Sequence, residues 1–448
     1  MKTLKDRKLN KDKILLFIGI AISIIVFFIT MIRSEVSGLN YDEAYTYLHI
    51  ARYNLLDPKI LLALFHGYAN NHWLNSFLIF IFDRLTGIHY NEFIIRLPVL
   101  LSFAVYLLLS CIGYKKKYYS FTTLLFLIGN YYLNEYYGLA RGYGLANTCI
   151  FGMCLSYIAW KKSGYSKSRY FNLLLICVLL AGLSNTVILL LYPGIFCICF
   201  IKAYKAKTIT LTLNKSIVTV AFWILISSLL LYYHFCISSS DKPLYTANSI
   251  LYSGKNDFFN CFIMGYVNMF LEGSLSTIVS IGIIVLAMIS IIVLKKKNLE
   301  NDLTLITSIF IITCIVMELF LHKGYPVGRV LLPFYSLLVL ALSELFGNAF
   351  KKIKIKKASI IQIVISTLLC ISICYIYACK TDVQKTKEWE SHHIHKNLEL
   401  GRYLTGQEYY EGYPLIEQEF YEEKYNEVSS KYREYLSKNP VHSFNLTD

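Results

Sequence analysis

The chain has 448 residues, of which 56% are hydrophobic and only 16% are charged. Soluble globular domains carry about 25% charged residues, so this composition excludes an ordinary soluble enzyme and a disordered chain. Hydrophobic runs of bilayer length recur along most of the sequence, which predicts one all-α integral membrane body. The net charge of +15 is therefore first a sign of membrane orientation, and we expect no nucleic-acid partner.

The first hydrophobic run, residues 14–32, follows a basic N-terminal stretch and is long enough to cross a membrane. A cleavable signal peptide is the alternative interpretation. The run is followed by Arg33-Ser34-Glu35, however, and not by a small-x-small cleavage site. We therefore predict an uncleaved anchor whose N-terminus lies in the cytoplasm.

Ten further runs predict about eleven transmembrane helices in all. They lie near 97–113, 118–134, 144–160, 170–183, 186–201, 216–236, 274–294, 303–321, 330–347 and 359–379. Together with the N-terminal stretch, five short basic segments hold more than half of the 44 Lys and Arg residues: 115–117, 161–169, 202–215, 295–297 and 351–357. The positive-inside rule places all six in the cytoplasm and the C-terminus outside.

Two stretches need separate treatment. Residues 170–201 are too long for one span but have basic flanks at both ends, so we predict a hairpin that turns at Ser184-Asn185. The apolar run from Trp73 to Phe82 is too short to cross a bilayer. We expect it to form an interfacial or re-entrant helix inside one long outer loop, residues 33–96.

The segment 380–448 is rich in Glu, Lys and Tyr, unlike the hydrophobic body 1–379. We predict that it forms a small extracytoplasmic appendage. The twelve cysteines fall almost entirely within hydrophobic runs and include no CxxC pair, so we expect neither a disulfide framework nor a zinc site.

Four polar clusters lie on the predicted outer face, whereas no charged residue lies near the centre of a predicted span. This distribution disfavours a proton- or ion-coupled transporter. Each cluster taken alone is also compatible with an ordinary helix start or membrane-interface belt. Their candidate functional residues are Tyr41, Asp42, Glu43 and Tyr45 in the first cluster, Asn71 and His72 in the second, Glu135, Tyr137, Arg141 and Tyr143 in the third, and Lys323 and Arg329 in the fourth.

The residue types of these clusters suit group transfer from a phosphate-bearing donor. Arginine is the preferred phosphate ligand, and the glycines around Arg141 let a backbone approach a ligand closely. The predicted cytoplasmic loops are too short to fold a nucleotide-binding domain. We therefore expect any transfer reaction to occur outside, with a membrane-soluble lipid phosphate as the donor.

Five short motifs occur in an order that resembles the multispanning GT-C glycosyltransferases of the protein O-mannosyltransferase and aminoarabinose-transferase type. They are the acidic pair in NYDEAYTYLHI, the NNHWLNS segment, Arg96-Leu97-Pro98, the Ala140–Tyr143 segment ARGY, and Arg329 before Leu331-Leu332-Pro333. The resemblance covers about residues 1–350. It departs from the family where Asn71-His72-Trp73 replaces a His-Pro-Pro motif and where Leu139 replaces an acid, for which Glu135 is a substitute one helical turn earlier.

The resemblance implies an enzyme that moves a sugar from a polyprenyl phosphate to a lipid, glycan or protein acceptor, with inversion at the anomeric carbon. Asp42 would be the general base, and Glu43 or Glu135 would orient the acceptor or the sugar. The donor phosphate would be held by Arg141, Arg329 and Lys323. His72 would bind phosphate or sugar, with further contacts from Asn71, Tyr41, Tyr45, Tyr137 and Tyr143.

Several alternatives remain open at this stage. The family's use of metals is mixed, so a divalent cation is a possible cofactor although no ligand spacing requires one. A polymerase or ligase of the O-antigen type would use pyrophosphate-linked donors. A transporter or flippase would require mid-membrane charges, broken helices and inverted repeats, which the sequence does not indicate. A catalytically inactive lipid-binding scaffold is a further alternative.

Overall fold

The computed structural model describes the continuous segments 2–36, 72–88, 91–205, 301–321 and 328–353. It also describes the single positions 43, 46, 47, 51, 55, 56, 225, 226, 229 and 368. Every regular element in this part of the chain is a helix, which confirms the all-α prediction there. The runs near 216–236, 274–294 and 359–379 lie almost entirely outside the described residues, as does the whole segment 380–448.

Ten α-helices and two 3₁₀ segments form the described part. The α-helices are α1 (Lys2–Val36), α2 (Trp73–Thr86), α3 (Glu92–Lys115), α4 (Phe121–Gly129), α5 (Tyr131–Tyr137), α6 (Gly142–Lys162), α7 (Ser168–Ser184), α8 (Tyr192–Lys205), α9 (Asp302–Leu321) and α10 (Tyr335–Ile353). The 3₁₀ segments, Thr186–Leu191 and Gly328–Phe334, lead into α8 and α10.

Among the described residues, four helical segments are long and apolar enough to cross a membrane: Asp12–Glu35, Glu92–Lys115, Thr186–Lys205 and Arg329–Gly347. Large apolar side chains on α1, such as Phe17 at 73% exposure, face outward from the bundle. Exposed apolar surface of this kind is stable in lipid but costly in water. The described part is therefore that of a membrane protein.

The structure divides the predicted run at 118–134 into two helices, α4 and α5. Asn130 separates the two helices in an extended conformation, with φ −74° and ψ 105°. Its side chain accepts a hydrogen bond from the backbone N–H of Leu133 at 3.0 Å, so it caps the start of α5. The expectation that the chain contains no broken helix fails at this position.

The carbonyl groups in the last turn of α4 receive hydrogen bonds from side chains. The Tyr335 hydroxyl donates to the Phe126 carbonyl at 2.6 Å, and the Tyr106 hydroxyl donates to the Leu127 carbonyl at 2.7 Å. A third bond, of 2.9 Å, runs from the Asn134 side-chain amide to the Ile128 carbonyl. Unpaired backbone groups are very costly in an apolar medium, and these three bonds make the break tolerable.

The chain changes direction at Asn185, where α7 ends. The Asn185 side chain accepts from the Val187 backbone N–H at 3.1 Å and thereby caps the following 3₁₀ segment. Further on, the Tyr192 hydroxyl donates to the Val178 carbonyl at 3.1 Å, so the segments on either side of Asn185 lie side by side. The 14-residue α2 packs its buried face against α3.

A cluster of charged residues joins helix ends at one end of the bundle. The buried Asp302 carboxylate lies 2.9 Å from Lys161 Nζ and 3.2 Å from Lys202 Nζ. Glu344 accepts from the backbone N–H groups of Leu303 and Thr304 at the start of α9, at 3.1 and 3.2 Å. These contacts connect α6, α8, α9 and α10 through opposite charges and a helix N-terminus.

Tyr165, in the turn between α6 and α7, completes this charged cluster. Its hydroxyl donates to Asp302 at 3.1 Å. Burial, helped by the negative charge of Asp302, raises the pKa of Tyr165 to about 12. The hydroxyl therefore stays protonated at neutral pH and remains a donor to the carboxylate.

We expect Asp302→Asn to lower the free energy of unfolding in detergent by about 2–3 kcal/mol. The substitution leaves two partly buried lysines without their shared counter-charge, and breaking a buried pair is costly. Asp12→Asn is the matched control. Its ion pair with Lys117 is 3.3 Å long but largely exposed, so we expect a change of about 0–1 kcal/mol. Equal losses in thermal or denaturant unfolding of the two variants would contradict this assignment.

Candidate functional site

A fully buried ion pair lies at the opposite end of α6. Glu43 and Arg96 are both 0% exposed. Arg96 donates from Nε to Glu43 Oε1 at 2.9 Å and from Nη2 to Oε2 at 2.7 Å, so the pair is bidentate. Arg96 also donates from Nη1 to the Ser34 carbonyl at 2.7 Å, which ties the pair to the end of α1.

The backbone of Ala140 is bound by Glu43 of this pair and by Asn75. Its backbone N–H donates a short hydrogen bond to Glu43 Oε1. Its carbonyl accepts from the side-chain amide of Asn75 at 2.8 Å. Arg96 and Asn75 were not among the predicted site residues: Arg96 stood out only as part of the Arg-Leu-Pro motif, and Asn75 only as a polar residue in the short helix.

Arg141 follows Ala140 directly and is the N-cap residue of α6. It is 2% exposed, and its guanidinium carbon lies 5.7 Å from the centre of the Tyr143 ring. His72 approaches the same tyrosine ring, with 5.0 Å between ring centres and an edge-on geometry. The structure therefore brings together three of the predicted residues, Arg141, Tyr143 and His72.

Gly142 allows this close packing. A Cβ atom built on Gly142 would overlap the Ser184 carbonyl oxygen and lie 2.7 Å from the Cβ of His72. Any larger residue would push His72 or the end of α7 away from the start of α6. Close packing therefore requires a glycine at this position of the Ala-Arg-Gly-Tyr motif.

Two further tyrosines extend the site toward Arg329. The Tyr143 ring contacts Tyr136 edge-on at 5.5 Å, and Tyr136 contacts Tyr132 at 5.3 Å. The positive charge of Arg329 acts electrostatically on Tyr136. Arg329 itself is exposed, at the start of the 3₁₀ segment before α10. Tyr136 therefore contacts the tyrosine that packs against Arg141 and also lies within electrostatic range of Arg329.

Glu135 and Tyr137 have partners that limit their predicted roles. Arg33 Nη2 lies 3.1 Å from Glu135 Oε1, and both side chains are about one-third exposed. Tyr137 is fully buried, and its ring stacks on Phe103 at 4.4 Å. The Tyr137 hydroxyl also accepts from the Asn147 amide at 3.0 Å, so Tyr137 lies inside the bundle.

Five predicted site residues lie outside the described part: Tyr41, Asp42, Tyr45, Asn71 and Lys323. Asp42 immediately precedes the anchored Glu43, and Asn71 immediately precedes His72. Within the described part, no group of three or more His, Cys, Asp or Glu residues could hold a metal ion. The possible divalent cation stays a prediction.

Comparison of the chain with protein-family models, with curated proteins and with solved structures found no match. The features of the chain that bear on its function are the five sequence motifs and the contacts described above. Together these define a helical membrane protein with a buried acid–arginine pair beside a row of tyrosines and cations.

Proposed function

We propose that this protein is a membrane glycosyltransferase of the GT-C type. It would move a sugar from a polyprenyl phosphate to an acceptor hydroxyl on a lipid, glycan or protein at the outer face of the cell membrane. The main support for this proposal is that motifs far apart in the sequence are in contact in the structure. Glu43, Arg96 and Ala140 are in direct contact, and Arg141 and His72 lie beside them.

The proposed reaction is a single displacement with inversion. The acceptor oxygen attacks the anomeric carbon while the bond from that carbon to the phosphate oxygen breaks. The acceptor proton passes to Asp42, and the bonding electrons leave with the polyprenyl phosphate. Negative charge then builds up on the phosphate, where preorganised cations stabilise the transition state.

The contacts of Glu43 bear on its role, and the other roles are those that the resemblance implies. Glu43 is engaged on both oxygens by Arg96, so we assign it to positioning the adjacent Asp42 and Ala140 and not to binding a sugar directly. Arg141 and Arg329, with Lys323, would bind the donor phosphate. His72, Asn71, Tyr41, Tyr45 and Tyr143 would contact the sugar or the acceptor, and Glu135 would assist through its pair with Arg33.

The orientation of the site is part of the proposal. The Lys161 and Lys202 ends of α6 and α8 meet at one end of the bundle, and Lys162 Nζ also reaches the Lys117 carbonyl there, at 3.1 Å. The positive-inside rule makes that end cytoplasmic. The Arg141 end would then be extracytoplasmic, within a multi-pass body 1–379 of about eleven spans with 380–448 as an outer appendage.

A transporter or flippase is the second candidate. The break at Asn130 and the two 3₁₀ segments favour it, since interrupted helices line the binding sites of many transporters. The purified protein in liposomes separates the candidates. The transferase predicts sugar transfer from a monophosphate-linked donor, a polymerase or ligase predicts transfer from a pyrophosphate-linked one, and a flippase predicts lipid movement without transfer.

We expect Arg329→Ala to raise the KM for the polyprenyl-phosphate donor by roughly tenfold or more, with a smaller change for the acceptor. The reason is the loss of one cation from the phosphate site. Arg169→Ala is a matched control, because Arg169 is likewise an exposed arginine but lies at the Lys161 end of the bundle, over the Tyr170 ring. A larger effect on the acceptor KM would show that Arg329 has another role.

A further inference from the structure

The segment that carries Arg141 has little regular secondary structure of its own. Residues 138–141 link α5 to α6 as a turn and bends, and the Arg141 backbone N–H bonds to the Leu139 carbonyl at 2.7 Å. Arg141 itself is extended, with φ −119° and ψ 144°. Helical hydrogen bonds therefore do not fix the backbone position of Arg141.

Two side chains from distant parts of the chain hold this segment instead. Glu43 accepts from the Ala140 N–H, and Asn75 donates to the Ala140 carbonyl at 2.8 Å. Both side chains are 0% exposed, as is Ala140. Each of the two peptide units that flank the Ala140 Cα is held by one of these bonds, so neither can rotate without losing a buried hydrogen bond, which is costly.

The two side chains that bind the Ala140 backbone are themselves fixed in position. Glu43 is fixed by two bonds from Arg96, and Asn75 lies on the buried face of α2. These contacts leave Ala140 little freedom relative to α2 and α3. Arg141 is next in the chain, so the same contacts restrict the position of its backbone.

We propose that Asn75 is a positioning residue that, together with Glu43, sets the Ala140 peptide so that the Arg141 guanidinium meets the donor phosphate. This inference rests on the proposed function. A displacement of about 1 Å in a positioned group can cost about 10²-fold in rate. The bond from Asn75 is thus expected to affect phosphate binding even though Asn75 itself does not touch the substrate.

The test uses the full-length protein purified in detergent, with polyprenyl phosphate as the probe. Asn75→Ala removes the donor, and Asn75→Asp keeps the size of the side chain while replacing the donor by a carboxylate oxygen. Trp160→Phe is the matched control, because Trp160 is equally buried and its indole N–H also donates to a backbone carbonyl, at 2.9 Å, but at the Lys161 end of the bundle. Two quantities are measured: amide hydrogen exchange of residues 138–143 and the Kd for polyprenyl phosphate.

We expect both Asn75 variants to exchange the Ala140 and Arg141 amides faster and to bind polyprenyl phosphate roughly tenfold more weakly, whereas Trp160→Phe changes neither quantity. Wild-type exchange and wild-type Kd in a folded Asn75→Asp protein would overturn the inference. A third outcome is that the wild-type protein binds no polyprenyl phosphate while the Asn75 variants still exchange faster. That outcome would support the positioning of Arg141 by Asn75 and contradict the proposed donor.

Discussion

Replacing Asp42 by Asn is expected to lower sugar transfer by about 10²–10⁴-fold, which is the usual contribution of a general base. The asparagine amide has nearly the same shape as the carboxylate, but it cannot accept the acceptor proton as the new glycosidic bond forms. The effect should fall mainly on kcat, because the acceptor can still bind.

The measurement is transfer of a labelled sugar from its polyprenyl phosphate by purified protein in liposomes. Asp12→Asn serves as the control, since Asp12 pairs with Lys117 at the other end of the bundle and is substantially exposed. Full turnover by Asp42→Asn would remove the assignment of Asp42 as the base. A Kd for polyprenyl phosphate close to that of the wild type would show that the loss lies in the chemical step.

Replacing Arg96 by Met is expected to lower the free energy of unfolding by about 3–5 kcal/mol. The substitution leaves the Glu43 carboxylate buried without the two hydrogen bonds that compensate its charge, and it also removes the donor to the Ser34 carbonyl. Sugar transfer should fall with it, because the Ala140 peptide depends on the position of Glu43.

A double-mutant cycle separates stability from function in the same pair. Arg96→Met with Glu43→Leu removes both charges, and the loss of stability should be clearly smaller than the sum of the single losses. Transfer should nevertheless stay low, because leucine offers the Ala140 N–H no acceptor. Additive losses of stability would contradict a direct Glu43–Arg96 pair, and recovered transfer in the double variant would contradict the positioning role.

The helices were largely predictable because their cause is local. A long run of apolar side chains needs a helix in a membrane, since the backbone must satisfy its own hydrogen bonds there. The hydropathy of residues 144–160 and 303–321 therefore indicated α6 and α9 within a few residues. The basic segments at 161–169 and 202–215 likewise predicted that the ends now joined through Asp302 lie on the same side.

The break at Asn130 was not predictable in this way. Residues 118–134 are mostly apolar or aromatic, so hydropathy favours one uninterrupted span. The break is stable because Tyr335, more than 200 positions further along the chain, donates to the Phe126 carbonyl. A single sequence contains no signal that pairs a carbonyl with a side chain so distant.

The candidate site was predictable in its parts but not in its contacts. The motifs drew attention to Glu43, Arg141 and His72 as separate polar residues. The sequence did not show that Glu43 would be bound by Arg96, because a partner 53 positions away cannot be inferred from residue types alone. For the same reason Glu43 was first expected to orient a substrate, whereas its contacts favour a positioning role.

The central claim, that the chain transfers a sugar at the outer face, is tested most directly by the mass of cell-surface glycans. A strain lacking the gene is compared with the same strain carrying either the wild-type gene or the Asp42→Asn variant. We predict that the surface glycan loses the mass of one sugar residue in the deletion strain, that the sugar-loaded polyprenyl phosphate accumulates there, and that the wild-type gene alone reverses both changes. Identical surface glycans and an unchanged lipid donor in all three strains would contradict the account.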